Sequence, residues 1–287
     1  MNERRQEDLI AALEARASRR AALAAMGLAG AGITLVPAAA AATVAAVAEA
    51  PVEEEKGKNR CHSCCDDGSN RLTVLQFLHA APGQGPVDIW LEGLLFFESV
   101  PFGSTTGLTR MPNYQFTVTV TEPGAGLLAP IFEQEIKLEK CTATEFAIVG
   151  AFGLNGDMTP PATGIAYPID REPTGKKGAA RFNAVHLAMG APAVDIVTGD
   201  GKMLARNIGY GTSSAPRLMR RGVYELQVRV AGTSEVVLTL PKVEMLGGRS
   251  SQVHVMGAAS GGSKLSALNL RYVNCCTRTG GKRRKKK

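Results

Sequence analysis

Residues 77–89 read FLHAAPGQGPVDI, and residues 184–196 read AVHLAMGAPAVDI. Both stretches carry a histidine near the end of an apolar run and an aspartate nine residues later, at the start of the next run. The offset between the two histidines is 107 residues, and the two aspartates have the same offset. A repeat of this length indicates two copies of one folded unit.

Further segments repeat in the same order and with nearly the same offset. Residues 102–105 match 210–213, 114–118 match 224–228, and 147–151 match 254–258. The repeat and the changes of composition divide the chain into an export signal (1–50), a cysteine-containing linker (51–69), a first domain (70–172), a linker (173–178), a second domain (179–274) and a tail (275–287).

The pattern beyond residue 70 is typical of β-strands. Apolar and polar residues alternate in short runs rich in Val, Thr, Phe and Tyr, which Gly, Pro or Asn interrupts about every 8–12 residues. The sequence therefore predicts an all-β chain with two tandem immunoglobulin-like or Greek-key β-sandwich domains. A disordered N-terminal signal region precedes them, and a basic C-terminal tail follows.

The repeated motifs resemble a known family. His-Ala-Ala-Pro, then Pro-Val-Asp-Ile-Trp, Val-Pro-Phe-Gly-Ser and Tyr-Gln-Phe-Thr-Val-Thr-Val are similar to the bacterial domain of unknown function 4397. The second copy repeats this pattern but has Leu187-Ala188-Met189 after its histidine. The resemblance implies secreted or surface-displayed β-sandwich modules, often in tandem, and it implies no defined reaction.

The first fifty residues are typical of an export signal. Arg19 and Arg20 precede an uncharged Ala/Gly-rich run from Ala21 to Ala48, which resembles a twin-arginine signal, although Ala22 stands where a bulky residue is expected. Small residues near the end of the run suit cleavage. An uncleaved membrane anchor is the alternative, and the low apolar content of the run makes it the weaker one.

The histidine and aspartate of each copy are the candidate binding residues. Alternation places His79 and His186 at strand ends and Asp88 and Asp195 at the following strand starts. One interpretation is an acid–base or metal-binding pair. The other is structural: a His–carboxylate hydrogen bond, or an aspartate that accepts backbone N–H groups in the turn. The second is favoured, since the motif occurs twice without a nucleophile.

The cysteines lie mostly outside the two predicted domains. In an exported protein an even number of cysteines predicts disulfides, but six allow 15 pairings, and the sequence does not choose among them. The N-terminal cluster tied to the C-terminal pair is one arrangement; a zinc site or intermolecular cross-links are the rivals. The six residues are Cys61, Cys64, Cys65, Cys141, Cys275 and Cys276.

The net charge of +7 belongs to the C-terminus, where residues 277–287 hold seven basic and no acidic residues. Residues 1–276 are then neutral, which does not support a nucleic-acid-binding face across a whole domain. We expect the tail to contact an anionic cell-wall polymer or a membrane surface by charge alone. Its electrostatic residues are Lys282, Arg283, Arg284, Lys285, Lys286 and Lys287.

Together these features predict an exported protein of the cell envelope or the extracellular space with a structural or binding role, such as adhesion or scaffolding. The sequence assigns it no catalytic residue, no metal ligand, no cofactor and no specific nucleic acid. The alternatives are a secreted hydrolase that uses the His/Asp turns, and a metal-binding protein that uses the cysteine cluster.

Overall fold

The computed structural model describes residues 73–83, 85–111, 115–139, 142–151, 161–259 and 264–274. Every regular element that these residues form is a β-strand, which confirms the all-β prediction. The described residues contain no helix that is long and apolar enough to cross a membrane.

The strands fall into two groups of sheets, which we call the first and the second sheet pair. The first pair consists of β1 (Thr73–His79), β2 (Val87–Leu91), β3 (Leu94–Val100), β4 (Thr109–Met111), β5 (Gln115–Thr121), β6 (Pro130–Lys137), β7 (Ala143–Val149) and β8 (Thr163–Pro168). The second pair consists of β9 (Ala179–His186), β10 (Val194–Thr198), β11 (Met203–Ile208), β12 (Thr212–Ser213), β13 (Arg217–Arg220), β14 (Gly222–Val230), β15 (Val236–Met245), β16 (Arg249–Met256) and β17 (Ser266–Val273).

Both pairs have the same strand order. The first pair has an outer sheet 1 in the order β3-β2-β5-β6 and an inner sheet 1 in the order β4-β1-β7-β8. The second pair repeats this as outer sheet 2 (β11-β10-β14-β15) and inner sheet 2 (β12-β9-β16-β17), with β13 also paired to β9. In inner sheet 1, β1 runs parallel to β7, and in inner sheet 2, β9 runs parallel to β16, although the paired strands are far apart along the chain.

An apolar core fills the space between the two sheets of each pair. In the first pair, alternate residues of β1 and β7 meet the inward residues of β2 and β5, among them Phe77, Phe146, Ile89 and Val118. The second pair has an equivalent core that includes Phe182, Ile196, Leu226 and Val253.

A third core joins the two inner sheets to each other. It consists of residues from the opposite faces of the inner strands, so the molecule is a stack of four sheets with both inner sheets buried on both faces. From the first pair come Leu78, Ala80, Ala147, Val149, Tyr167 and Ile169, and from the second pair come Val185, Leu187, Met256, Leu268, Leu270 and Tyr272.

Burial on both faces explains the composition of the inner strands. β1, β7, β9 and β16 are buried along almost their whole length, and their sequences carry apolar or small residues on both faces. The sequence predicts a short linker, 173–178, between the two modules and does not give their relative position. In the structure the contact between the inner sheets fixes their relative position.

A glycine on β8 makes room for one of the four phenylalanine rings buried in the first core. A Cβ atom at Gly164 would overlap the ring of Phe146, although the backbone at this position is accessible to any residue. By strand register the same places in the second pair hold Ala267 and Val253. Val253 is smaller than Phe146 and has no ring, so it leaves space for the methyl group of Ala267.

We expect Gly164→Ala to lower the free energy of unfolding by about 1 to 3 kcal/mol, because it overpacks a core that has no space for a methyl group. Denaturant unfolding measures this effect. Phe146→Leu should lower the free energy of unfolding less in the Gly164→Ala variant than in the wild type. Gly85→Ala is the matched control, since a Cβ atom there meets no atom within 4 Å. Equal stabilities of the two alanine variants would contradict the packing.

Candidate functional site

The structure places the four predicted site residues as the sequence indicates. His79 ends β1 and Asp88 is the second residue of β2, while His186 ends β9 and Asp195 is the second residue of β10. All four side chains are buried.

Each histidine holds the turn that follows it. His79 Nε2 lies 3.1 Å from the Gly85 carbonyl oxygen, and His186 Nε2 lies 3.0 Å from that of Pro192, which is 107 residues further along. A carbonyl oxygen only accepts, so Nε2 carries the proton in both rings. In the second copy the Ala188 N–H also donates to His186 Nδ1, at 3.3 Å. This combination requires a neutral imidazole.

Burial disfavours the charged, doubly protonated form of both imidazole rings. Loss of solvation lowers the pKa of His79 and of His186 below the usual 6.5, and the hydrogen bond to a backbone carbonyl offsets part of that shift. An aromatic ring packs edge-on against each imidazole, Phe102 on His79 and Tyr210 on His186. The histidines therefore stay neutral near pH 7.

Each aspartate joins two distant pieces of backbone. Asp88 Oδ1 accepts the N–H of Ser99 at 2.7 Å, and Oδ2 accepts the N–H of Gly124 at 3.1 Å. Ser99 has a φ of 54°, at an irregularity in the pairing of β2 with β3, and Gly124 lies in the turn between β5 and β6. The carboxylate thus fixes a left-handed residue and a hairpin turn at once.

The second copy repeats this arrangement with the same distances. Asp195 Oδ1 accepts the N–H of Asn207 at 2.7 Å, and Oδ2 accepts the N–H of Gly232 at 3.1 Å. Asn207 has a φ of 51°, as Ser99 does in the first copy within a few degrees. Two independent stretches of sequence therefore form one and the same structural device.

The histidine and the aspartate of a copy do not share a hydrogen bond within the described residues. Their polar atoms bind different parts of the backbone, which matches the interpretation that the aspartate accepts N–H groups and does not match a His–carboxylate pair. An open groove of about 520 Å³ passes Asp195 and is also lined by Arg206 and Asn207. Asp195 as a whole residue is 4% exposed, and both oxygens of its carboxylate accept backbone N–H groups.

Sequence reasoning missed one contact between two fully buried ionisable residues. Glu145 on β7 and His254 on β16 face each other across the two inner sheets, with His254 Nε2 2.6 Å from Glu145 Oε1. Both side chains are fully buried. Alone in the sequence, Glu145 resembles an ordinary polar residue of an alternating strand. Only its partner 109 residues away reveals its place.

Two more polar side chains complete this cluster. Gln76 Nε2 donates to Glu145 Oε2 at 3.1 Å and lies 3.0 Å from the Tyr272 hydroxyl oxygen, which is itself 3.3 Å from Glu145 Oε2. Burial first, and then the Glu145 carboxylate, raise the pKa of Tyr272 well above its usual value. Burial and the Glu145 carboxylate, with a further contribution from Tyr210, also raise the pKa of Tyr167 on β8, the strand next to β7. Both tyrosines therefore stay protonated.

The described residues contain no group of three or more His, Cys, Asp or Glu side chains that would suit a metal ion. The six cysteines, the basic residues of the tail, Arg19 and Arg20 all lie outside the described residues. The disulfide, export and tail interpretations therefore stay predictions.

Asp88 and Asp195, each of which accepts two backbone N–H groups, are called the aspartate clamps below. Replacing either aspartate should destabilise the fold strongly. We expect Asp88→Asn to lower the free energy of unfolding by about 2 to 4 kcal/mol, because the amide group presents a donor to a buried N–H and removes the charge. Asp195→Asn should have a similar effect, since its contacts are the same. Glu98→Gln, an exposed change on β3, is the control. A loss for Asp88→Asn no larger than that of the control would contradict the clamp.

The buried histidines predict a loss of stability in acid. Below about pH 6.5 the unfolded chain binds a proton at each position that the folded chain does not bind, so unfolding becomes easier as the pH falls from 6.5 to the folded-state pKa. The slope approaches about 1.4 kcal/mol per pH unit for each histidine. Urea unfolding between pH 7.5 and pH 5 measures it. His186→Gln should reduce the slope, and an unchanged slope would contradict this account.

A search of the curated proteins found no match for the chain. A family model described as Domain of unknown function (DUF4397) matches residues 73–197, which is less than half of the chain. The match begins at the first residue of β1, contains all strands of the first sheet pair and continues through β9 into β10. The chain therefore carries one match to the domain of unknown function 4397, and it includes His79, Asp88, His186 and Asp195.

Proposed function

We propose that this protein is an exported scaffold of the cell envelope or the extracellular space, built from two copies of the domain of unknown function 4397. In this proposal each copy is an immunoglobulin-like β-sandwich with the boundaries 70–172 and 179–274. The repeated strand order and the repeated contacts of Asp88 and Asp195 support a second copy beyond the family match.

One observation carries the structural role: the two inner sheets bury each other and a Glu–His pair between them. A contact of this kind stabilises one fixed arrangement of two modules and not a flexible string. The repeated polar residues of the turns are bound to backbone groups in both copies. A rigid body that presents its outer sheets and its C-terminal tail suits a scaffold or an adhesion module.

The proposed disulfides are supported by where the cysteine-bearing segments meet the fold. The Val74 N–H donates to the Thr142 carbonyl oxygen at 3.0 Å, so the start of β1 lies beside the residue that follows Cys141. Arg171 Nε, just beyond β8, donates to the Val273 carbonyl oxygen at 2.9 Å. The N-terminal cluster, Cys141 and the C-terminal pair are therefore attached at one end of the inner sheets.

Secretion and mass of the protein test this proposal. We expect cells that produce the full chain to release or display a form that lacks the N-terminal region and contains three disulfides, about 6 Da below its reduced mass. Arg19→Lys with Arg20→Lys should leave the full-length chain in the cytoplasm. Arg4→Lys with Arg5→Lys is the matched control, since it changes two arginines of the same region outside the motif.

Full-length wild-type protein in the cytoplasm would contradict the export proposal. Six free thiols together with bound zinc in the exported form would favour the metal-binding alternative over the disulfides. Both results come from intact mass measured under native and under denaturing conditions.

A further inference from the structure

The near-neutral charge of the folded part conceals a large internal difference. Residues 73–172 hold 4 basic and 11 acidic residues, whereas residues 173–274 hold 13 basic and 5 acidic residues. The first sheet pair is therefore acidic and the second is basic. At physiological salt, charges act over about 8 Å, so a local surface responds to its own charges and not to the sum over the chain.

A large part of the positive charge gathers at one end of the second sheet pair, which we call the basic end. Backbone contacts bring its segments together: the Arg221 N–H donates to the Gly178 carbonyl oxygen at 2.9 Å, and the Gly248 N–H donates to the Ala179 carbonyl oxygen at 2.8 Å. The cations on these segments are Lys176, Lys177, Arg220, Arg221 and Arg249.

None of these five cations forms an ion pair with a described residue. Four of them are exposed, and Arg249 is half-buried. Arg221 and Arg249 line an open groove of about 520 Å³, whose floor includes Val223 and Met245. The acidic residue of the groove, Glu244, is already bound to Arg271 at 2.8 Å, so it leaves the groove positively charged.

The fold itself does not require these cations. By the repeat offset of 107 residues, their places in the first copy hold Ser69, Asn70, Asn113, Tyr114 and Thr142, none of which is basic. The aspartate clamps and the turn histidines recur in both copies because both copies need them to fold. A feature of one copy alone serves something other than the fold.

The basic end is also the place from which the tail departs. Asn274, the last described residue, donates its N–H to the Gly248 carbonyl oxygen at 3.2 Å, next to Arg249. Seven basic residues follow in the sequence. The basic residues of the tail therefore follow the basic end in the sequence.

From this arrangement we infer that the basic end is a binding surface for a phosphate-bearing polyanion, with Arg221 and Arg249 as its contacts. Guanidinium groups bind phosphate oxygens with two parallel hydrogen bonds, and the apolar floor of the groove accepts the carbon part of a polymer repeat. This inference rests on the proposed function and gives it a defined site. The acidic first sheet pair repels the same polymer, so the polymer binds at one end.

Binding of inorganic polyphosphate to the full chain tests the inference. We expect Arg221→Gln with Arg249→Gln to weaken the Kd roughly ten- to thirty-fold at low salt, and to lower the slope of log Kd against log salt by about two. Lys202→Gln with Arg206→Gln removes two exposed cations of the same sheet pair outside this groove, and it should change Kd less than three-fold. A third variant, with the six basic residues 282–287 changed to Gln, measures the tail alone. Thermal unfolding shows that each variant is folded.

Three results would overturn the inference. Equal losses in the groove variant and in its control would show binding by general charge. If the groove variant bound polyphosphate with wild-type affinity and the tail variant did not bind it, the tail alone would account for binding, and the proposed function would stand. Association of copies at low salt that polyphosphate does not displace, seen by sedimentation velocity, would mean that the basic end binds the acidic sheet pair of another copy.

Discussion

The contact between Glu145 and His254 is the constraint on which the shape of the molecule depends. Burying two ionisable groups between sheets is unfavourable unless hydrogen bonds compensate, and here Gln76 and Tyr272 add contacts to Glu145, while His254 Nδ1 has no partner among the described residues. Removing one partner from such a pair typically costs about 3 to 5 kcal/mol, because the other is left buried and uncompensated. The apolar residues around the pair hold the inner sheets together, and the contact of the pair requires Glu145 and His254 to lie opposite each other.

With the inner sheets covered on both faces, what remains exposed is the outer sheets and the ends of the stack. The aspartate clamps serve this arrangement, since each fixes the bulged edge of an outer sheet to its opposite hairpin. Edges and turns would otherwise be the least stable parts of a sandwich. Polar residues that resemble a catalytic pair in the sequence thus act on the backbone, and the five cations of the basic end lie elsewhere.

Much of the fold was accessible from the sequence, and the interface was not. Period-two alternation and the 107-residue repeat predicted strands and the places of His79 and Asp88, because these depend on local pattern. The stacking of the inner sheets depends on contacts between residues more than a hundred positions apart, and neither Glu145 nor His254 carries a local signal of its partner. The charge difference between the sheet pairs was present in the sequence, but a sum over residues 1–276 cancels it.

Cooperativity of unfolding tests the central claim, that the two sheet pairs form one body. Calorimetry of the full chain under reducing conditions removes any coupling through disulfides and leaves the inner-sheet contact. We expect a single transition, with a van't Hoff enthalpy close to the calorimetric enthalpy. Two separate transitions, or a van't Hoff enthalpy near half of the calorimetric value, would show that the sheet pairs unfold independently and would contradict the account.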